Sequence, residues 1–144
     1  SGAMIPQLAI ATGMVLLTVM IHGAGLMLLA RLLRIELHEE ATMRLPPFSG
    51  RTLVFVLALA LGLFALHGVE IWLYAALYLG LGALPSLETA VFFSTITYST
   101  VGYDTLGFNE TWQLVAAIEA INGVILLGWS TAFFVAVMMR LMRR

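Results

Sequence analysis

A short polar stretch, residues 95–104, lies between two long apolar segments of the chain. Its sequence is Thr-Ile-Thr-Tyr-Ser-Thr-Val-Gly-Tyr-Asp, and its many hydroxyl groups make it too polar to face lipid. Thr100 offers a hydroxyl oxygen that can bind a cation. Gly102 lacks a Cβ and therefore suits a backbone turned into the left-handed region. This stretch is the first candidate for a functional site, with backbone and hydroxyl oxygens as its chemistry.

The centre of the stretch, Thr100-Val101-Gly102-Tyr103, resembles the selectivity-filter signature of the potassium-channel superfamily, usually written T-V-G-Y-G. The resemblance implies that the carbonyls of these four residues point inward and replace the water shell of K⁺ ions. It also implies that Val101 and Tyr103 point away from the axis and pack behind the filter. Asp104 stands where the family usually has Gly: it either replaces that Gly, or the Gly is missing and Asp104 corresponds to the Asp that often follows it. In both alignments its carboxylate lies at the outer mouth. The residues expected to support the filter from the preceding helix are Thr95, Thr97 and Ser99.

The residues around this stretch extend the resemblance from Arg51 to Arg144. Pro85 and Ser86 form a helix start signal, with Glu88 in the first turn. The helix that they predict is too short to cross a bilayer, so we interpret it as a re-entrant pore helix. A full-length apolar helix follows. The order of apolar helix, short helix, filter and apolar helix is that of a two-helix pore module.

Composition places the whole chain in a membrane. Of its 144 residues, 61% are hydrophobic and 10% are charged, which is outside the range of soluble domains. The absence of Cys excludes disulfides and thiolate metal sites. Asp104 is the only Asp, which excludes a paired-Asp protease, and His38-Glu39-Glu40 lacks the second His of a zinc helix. We predict neither an enzyme nor a nucleic-acid partner.

Three apolar runs are long enough to span a bilayer. The predicted division is an expression scar at 1–3, an extra outer transmembrane helix at 4–33, a cytoplasmic connector at 34–51 and a pore module at 52–144. Within the module we predict an outer helix at 52–79, a pore helix at 86–99, the filter at 100–104 and an inner helix at 112–141.

The basic residues, all of them arginines, predict the orientation. They flank or lie in the connector, or end the chain, and the opposite side has none. The positive-inside rule then makes the connector and C-terminus cytoplasmic and the N-terminus external. The resemblance implies a small prokaryotic channel, in the inner (plasma) membrane. The external side carries Glu88, Asp104 and Glu110, which either attract cations to the mouth or are simply solvated loop residues. The arginines are Arg31, Arg34, Arg44, Arg51, Arg140, Arg143 and Arg144.

Ionisable and polar residues inside the spans are functional candidates. His67 and Glu70 are three residues apart, as are Glu119 and Asn122, so each pair lies on one helical face. We expect one hydrogen-bonded cluster of all four behind the pore helix. Structural support is the favoured interpretation, and a titratable gate or proton sensor is the alternative. His22 is interpreted as a packing or partner-facing residue.

The inner helix carries small and hydroxyl residues at depth. Gly123 and Gly128 are candidates for a hinge or for close helix packing. Ser130 and Thr131 are expected to face an inner cavity, and Ser130 has no obvious basic partner at its depth.

Together these observations predict an all-α membrane protein in a lipid bilayer, and the resemblance implies a fourfold homotetramer around a common axis. The predicted function is passive cation conduction, selective for K⁺ bound at Thr100, Val101, Gly102 and Tyr103. Because of Asp104, a weakly selective Na⁺/K⁺ or divalent-permeable channel is an alternative, with Na⁺ or divalent cations at the outer mouth. A non-conducting, pore-like regulatory subunit is another alternative.

Overall fold

The computed structural model describes residues 3–35, 49–105 and 107–142. Its four α-helices are α1 (Met4–Leu32), α2 (Gly50–Gly80), α3 (Leu87–Tyr98) and α4 (Gln113–Met142), and a 3₁₀ turn at Glu110–Trp112 leads into α4. α1, α2 and the segment Glu110–Met142 are each long and apolar enough to cross a membrane. No strand occurs in the described ranges. The predicted all-helical class with three spanning helices is therefore confirmed.

The starts of α2 and α3 have a local chemical cause. The Ser49 hydroxyl accepts a hydrogen bond from the backbone N–H of Thr52 at 3.2 Å, and the Ser86 hydroxyl accepts one from Thr89 at 3.2 Å. Both are side-chain caps of free helix N–H groups. α3 has only 12 residues, about 18 Å of helix, so it cannot span the bilayer.

Parts of the predicted connector and of the C-terminus lie outside the described residues. They include the predictions for residues 36–48, with Arg44 and His38-Glu39-Glu40, and for Arg143 and Arg144.

Two apolar clusters occupy opposite ends of the helical bundle. One joins α2, α3 and α4 and includes Tyr78, Phe93 and Val115. The other joins α1, α2 and α4 and includes Leu26 and Leu59. In each helix that reaches both ends, the segment between the clusters carries buried polar residues. The spanning helices therefore enclose a polar middle layer. The order of the two clusters along each helix also shows that α1 and α4 run in the same direction, opposite to α2.

Candidate ion-conduction site

The segment after α3 has an unusual backbone. Thr100 has φ 68° and Gly102 has φ 55°, both in the left-handed region, while Val101 between them has a negative φ. A backbone in which positive and negative φ alternate can turn successive carbonyls toward one side. In a β-strand, by contrast, successive carbonyls point to opposite sides. Gly102 adopts such a φ readily, but a β-branched Thr rarely does. Strained conformations of this type concentrate at functional sites, at a cost of about 1–3 kcal/mol each.

Hydrogen bonds fasten this segment to the end of α3. The Thr100 N–H donates to the Thr97 carbonyl at 3.0 Å, and the Gly102 N–H donates to the Ile96 carbonyl at 2.8 Å. The position of the candidate filter backbone therefore depends directly on the last turn of α3. Of the expected supporting residues, Thr95 bonds within its own helix and donates to the Val91 carbonyl at 2.7 Å. Ser99 is exposed, and Thr97 is buried.

The side chains of the candidate filter are largely uncovered in the single chain. Val101 is 60% exposed and Tyr103 is 69% exposed. Tyr103 contacts the ring of Phe92 edge-on, with ring centroids 6.1 Å apart. Asp104 is partly buried. The packing expected behind the filter is thus not provided by this chain alone.

Gly123 of α4 lies directly against the end of α3. A Cβ at this position would overlap the backbone carbonyl of Tyr98, so only glycine permits this approach. A Cβ at Gly128 would meet nothing within 4 Å. The two glycines therefore differ in surroundings: Gly123 is a close packing contact, and Gly128 lies on an open face. That either acts as a hinge stays a prediction.

Five side chains from all four α-helices form a closed hydrogen-bonded cluster, here called the five-residue ring: His22, His67, Glu70, Tyr98 and Ser130. His22 Nδ1 lies 2.8 Å from Glu70 Oε2, and the Tyr98 hydroxyl donates to Glu70 Oε1 at 2.7 Å. His67 Nδ1 lies 2.7 Å from the Tyr98 hydroxyl. The Ser130 hydroxyl is 2.7 Å from His67 Nε2 and 2.9 Å from His22 Nε2. All five side chains are buried.

Glu119 forms a second, separate cluster. The Tyr78 hydroxyl donates to Glu119 Oε1 at 2.6 Å, and the Ser94 hydroxyl lies 2.6 Å from Glu119 Oε2. Ser94 also lies 3.0 Å from the Ile71 carbonyl. These bonds join α4 to α2 and α3 at full burial, where an unpartnered carboxylate would be costly.

Asn122 forms a third cluster with α1 and α2. Its Nδ2 donates to the Thr18 hydroxyl at 2.8 Å and to the Tyr74 hydroxyl at 3.0 Å. Its Oδ1 has no partner among the described residues. At the end of the bundle where α4 begins, Gln7 Oε1 accepts a hydrogen bond from the Leu114 backbone N–H at 2.8 Å and so caps the start of α4. α1 is thus bonded to α4 at several levels.

This arrangement corrects several expectations. The single cluster expected for His67, Glu70, Glu119 and Asn122 is wrong: the four residues divide among three clusters, because α1 and α3 supply most of the partners. The expectation that Ser130 faces a cavity without a basic partner is also wrong, since two histidines contact it.

His22 and Thr131 complete the comparison with the sequence. His22 is fully buried inside this chain, which agrees with the packing alternative and not with the partner-facing one. Thr131 is exposed and donates to the Leu127 carbonyl at 2.8 Å. The role of His22 was missed, although α1 does carry a signal. Its polar residues Gln7, Thr18 and His22 lie on one helical stripe.

The ring also contains residue types that bind metals or catalyse hydrolysis. His22, His67 and Glu70 bring ligand atoms within 4.8 Å of one another. All of these atoms already have hydrogen-bond partners in the ring, so we assign no metal to it. Ser130, His22 and Glu70 also follow the contact order of a hydrolase triad. Ser130 is only 6% exposed, however, and imidazoles contact its hydroxyl from two sides, which leaves no room for a substrate.

Fold and site together define a multi-pass helical membrane protein in which a short helix presents a strained, carbonyl-bearing loop. A family model described as "Ion channel" matches residues 51–140, more than half of the chain. The chain therefore belongs to this ion channel family, and the predicted membership of a channel family is confirmed at that level. The match covers nearly all of α2, then α3, the segment after α3 and most of α4, and it does not extend to α1. Comparison with curated proteins and with solved structures finds no further match.

Proposed function

We propose that the protein is a potassium-selective channel that conducts passively through a pore at the axis of four identical subunits. The observation that carries this proposal is the backbone at Thr100 and Gly102. Its alternation of positive and negative φ is compatible with successive carbonyls turned to one side, the arrangement that a filter for dehydrated K⁺ requires. K⁺ is the transported ion in this proposal, held by the carbonyls of residues 100–103.

The exposure of the filter segment supports assembly around an axis. Residues 99–103 are exposed in the single chain, yet they follow a helix too short to span the membrane. Polar backbone at membrane depth is not tolerated against lipid, so other subunits or water must cover it. Val101 and Tyr103 would pack against a neighbouring subunit, while the carbonyls face the axis. Cyclic symmetry with four subunits closes such a ring.

Charge distribution supports an orientation for this pore. Arg31, Arg51 and Arg140 lie at the end of the bundle that we propose to be cytoplasmic. Glu88 and Glu110 are exposed at the other end, near the filter mouth. An acidic external mouth raises the local cation concentration, most strongly at low ionic strength. The C-terminal end of α3 would also direct its carbonyl dipoles toward the cavity and favour a cation there.

Asp104 is the observation that favours a second candidate, a weakly selective or divalent-permeable channel. It either replaces the usual Gly at the end of the filter signature or directly follows a signature that lacks this Gly, and in both cases four carboxylates would lie close together at the outer mouth. A non-conducting regulatory subunit is the remaining alternative. Conduction by the purified protein alone excludes that alternative.

Flux of K⁺ into liposomes that contain only this protein tests the proposal. The parent protein should conduct. Gly102→Ala should reduce the flux to background, because Ala adopts a φ of 55° poorly and would misdirect the carbonyls. Gly68→Ala is the matched control, since a Cβ there meets nothing within 4 Å and this Gly lies in a regular helix. Equal flux from both variants, or none from the parent, would contradict the proposal.

A further inference from the structure

The five-residue ring has one more hydrogen-bonding contact than the number of protons that its side chains supply when Glu70 is ionised and the other four are neutral. Its five contacts join Glu70 to His22 and to Tyr98, Tyr98 to His67, and Ser130 to both histidines. Each hydrogen bond requires one proton between its two atoms. An ionised Glu supplies none, and a neutral His, Tyr or Ser supplies one each. The ring then holds four protons for five contacts, whichever tautomers are chosen.

The missing proton can be located for the donor directions in the structure. An ionised Glu70 accepts from the Tyr98 hydroxyl and from His22 Nδ1, so His67 Nδ1 must donate to the Tyr98 oxygen. Both Nε2 atoms are then bare acceptors facing one Ser130 hydroxyl. Ser130 can donate to only one of them. The other contact, at 2.7 or 2.9 Å, would bring two acceptors together unless its imidazole carries a second proton.

The net charge of the ring also favours a fifth proton. With four protons the ring carries a charge of minus one, in a buried site within the spanning helices. A fifth proton, on an imidazole or on Glu70, makes the ring neutral overall, and burial favours that state. The other titratable groups that interact with the ring are Tyr74 of α2 and Glu119 of α4, neither of them a cation. Each belongs to its own hydrogen-bonded cluster.

We propose that the five-residue ring is a proton-binding site that holds one exchangeable proton and sets the position of the filter. Loss of this proton leaves one contact without a donor and a buried negative charge, so the ring must open. Tyr98 is both a ring member and the last residue of α3. The Gly102 N–H is bonded to Ile96 two residues before Tyr98, so movement of Tyr98 displaces the filter backbone. This coupling to conduction rests on the proposed function, whereas the proton site does not.

Nuclear magnetic resonance of ¹⁵N-histidine-labelled protein in detergent counts the protons directly. We expect His22 and His67 to change together, in one step that releases one proton as the pH is raised. The infrared carboxyl band of Glu70 shows whether the fifth proton resides there instead. Two neutral imidazoles with an ionised Glu70, at every pH where the protein is folded, would overturn the proposal. Two independent histidine titrations would overturn it as well.

Glu70→Gln provides a decisive variant, because an amide fills the ring without an extra proton. The introduced amide can donate to Tyr98, which donates to His67. His67 then donates to Ser130, Ser130 to His22, and His22 to the amide oxygen, so that all five contacts have a donor. This variant should fold and lose the coupled titration. Glu119→Gln is the matched control: Ser94 can turn its proton to the Ile71 carbonyl and accept from the new amide. The control should keep the titration of the parent.

Potassium flux at equal pH on both sides of the liposome tests the coupling. The parent and Glu119→Gln should change flux over the pH range in which the ring loses its proton, and Glu70→Gln should show no such change. If Glu70→Gln keeps the pH profile of the parent, the coupling to the filter is overturned. If the parent conducts at no pH, the proposed channel function fails, and the spectroscopic proton count alone then decides the proton site.

Discussion

Gly123 determines how closely α4 approaches the end of α3, because a Cβ there would overlap the Tyr98 carbonyl. We expect Gly123→Ala to destabilise the protein by about 1–3 kcal/mol, as overpacking does, and to reduce conduction. Gly128→Ala is the control, and its better helix propensity should make it neutral or stabilising by up to about 1 kcal/mol. Thermal unfolding in detergent measures both variants. Equal stability would mean that α4 does not pack on α3 in this way.

Asp104 tests the outer end of the proposed filter. The segment Thr100–Tyr103 is unaltered from the signature, so we predict that K⁺ preference survives. Four carboxylates at the mouth should repel one another and so favour a bound cation. External Ca²⁺ or Ba²⁺ should therefore block the parent, and Asp104→Asn should weaken that block. Block of equal strength in both proteins would show that the carboxylate is not at the ion path.

At the scale of the element, α1 is a structural part of the channel subunit rather than a loose addition. Its buried stripe places Thr18 against Asn122 and His22 in the five-residue ring. Residues of α1 thus complete hydrogen bonds that the matched channel module lacks by itself. We infer that α1 packs outside the proposed pore and acts on stability and gating.

Thr18→Val tests this role of α1 away from the ring. Loss of the hydroxyl removes one acceptor from Asn122, so we expect a destabilisation of about 1–3 kcal/mol with unchanged ion preference. Leu16→Ala on the exposed face is the control and should change stability less.

Deletion of residues 4–33 should impair assembly or gating more than selectivity. An altered ion preference in an intact assembly would place α1 in the pore instead.

The helices could be predicted from the sequence, but the hydrogen-bond partners of their buried polar side chains could not. The spans and the short helix α3 could be predicted because apolar length and the cap at Ser86 are local properties. The partners of Glu70 and Glu119 could not, because they depend on the rotation of each helix about its axis and on which helices pack together. His22 illustrates this: its polar stripe on α1 is visible in the sequence, but nothing local shows that the stripe faces α2 and α4.

At the scale of the whole molecule, residues 99–103, which include the proposed filter, are exposed in the single chain. We predict a homotetramer in mild detergent, because a single subunit would leave the polar backbone of residues 99–103 uncovered in the membrane. Native mass spectrometry should give four times the mass of one chain. A sample that contains only monomers or dimers in several mild detergents would exclude the fourfold pore.

Recording of single channels from the purified protein, with K⁺ on one side and Na⁺ on the other, tests potassium-selective conduction most directly. We predict discrete openings whose current reverses near the K⁺ equilibrium potential, because the carbonyls of residues 100–103 would match a dehydrated K⁺. Reversal near zero voltage would show a weakly selective pore governed by Asp104. The absence of openings from a correctly assembled protein would contradict the channel function itself.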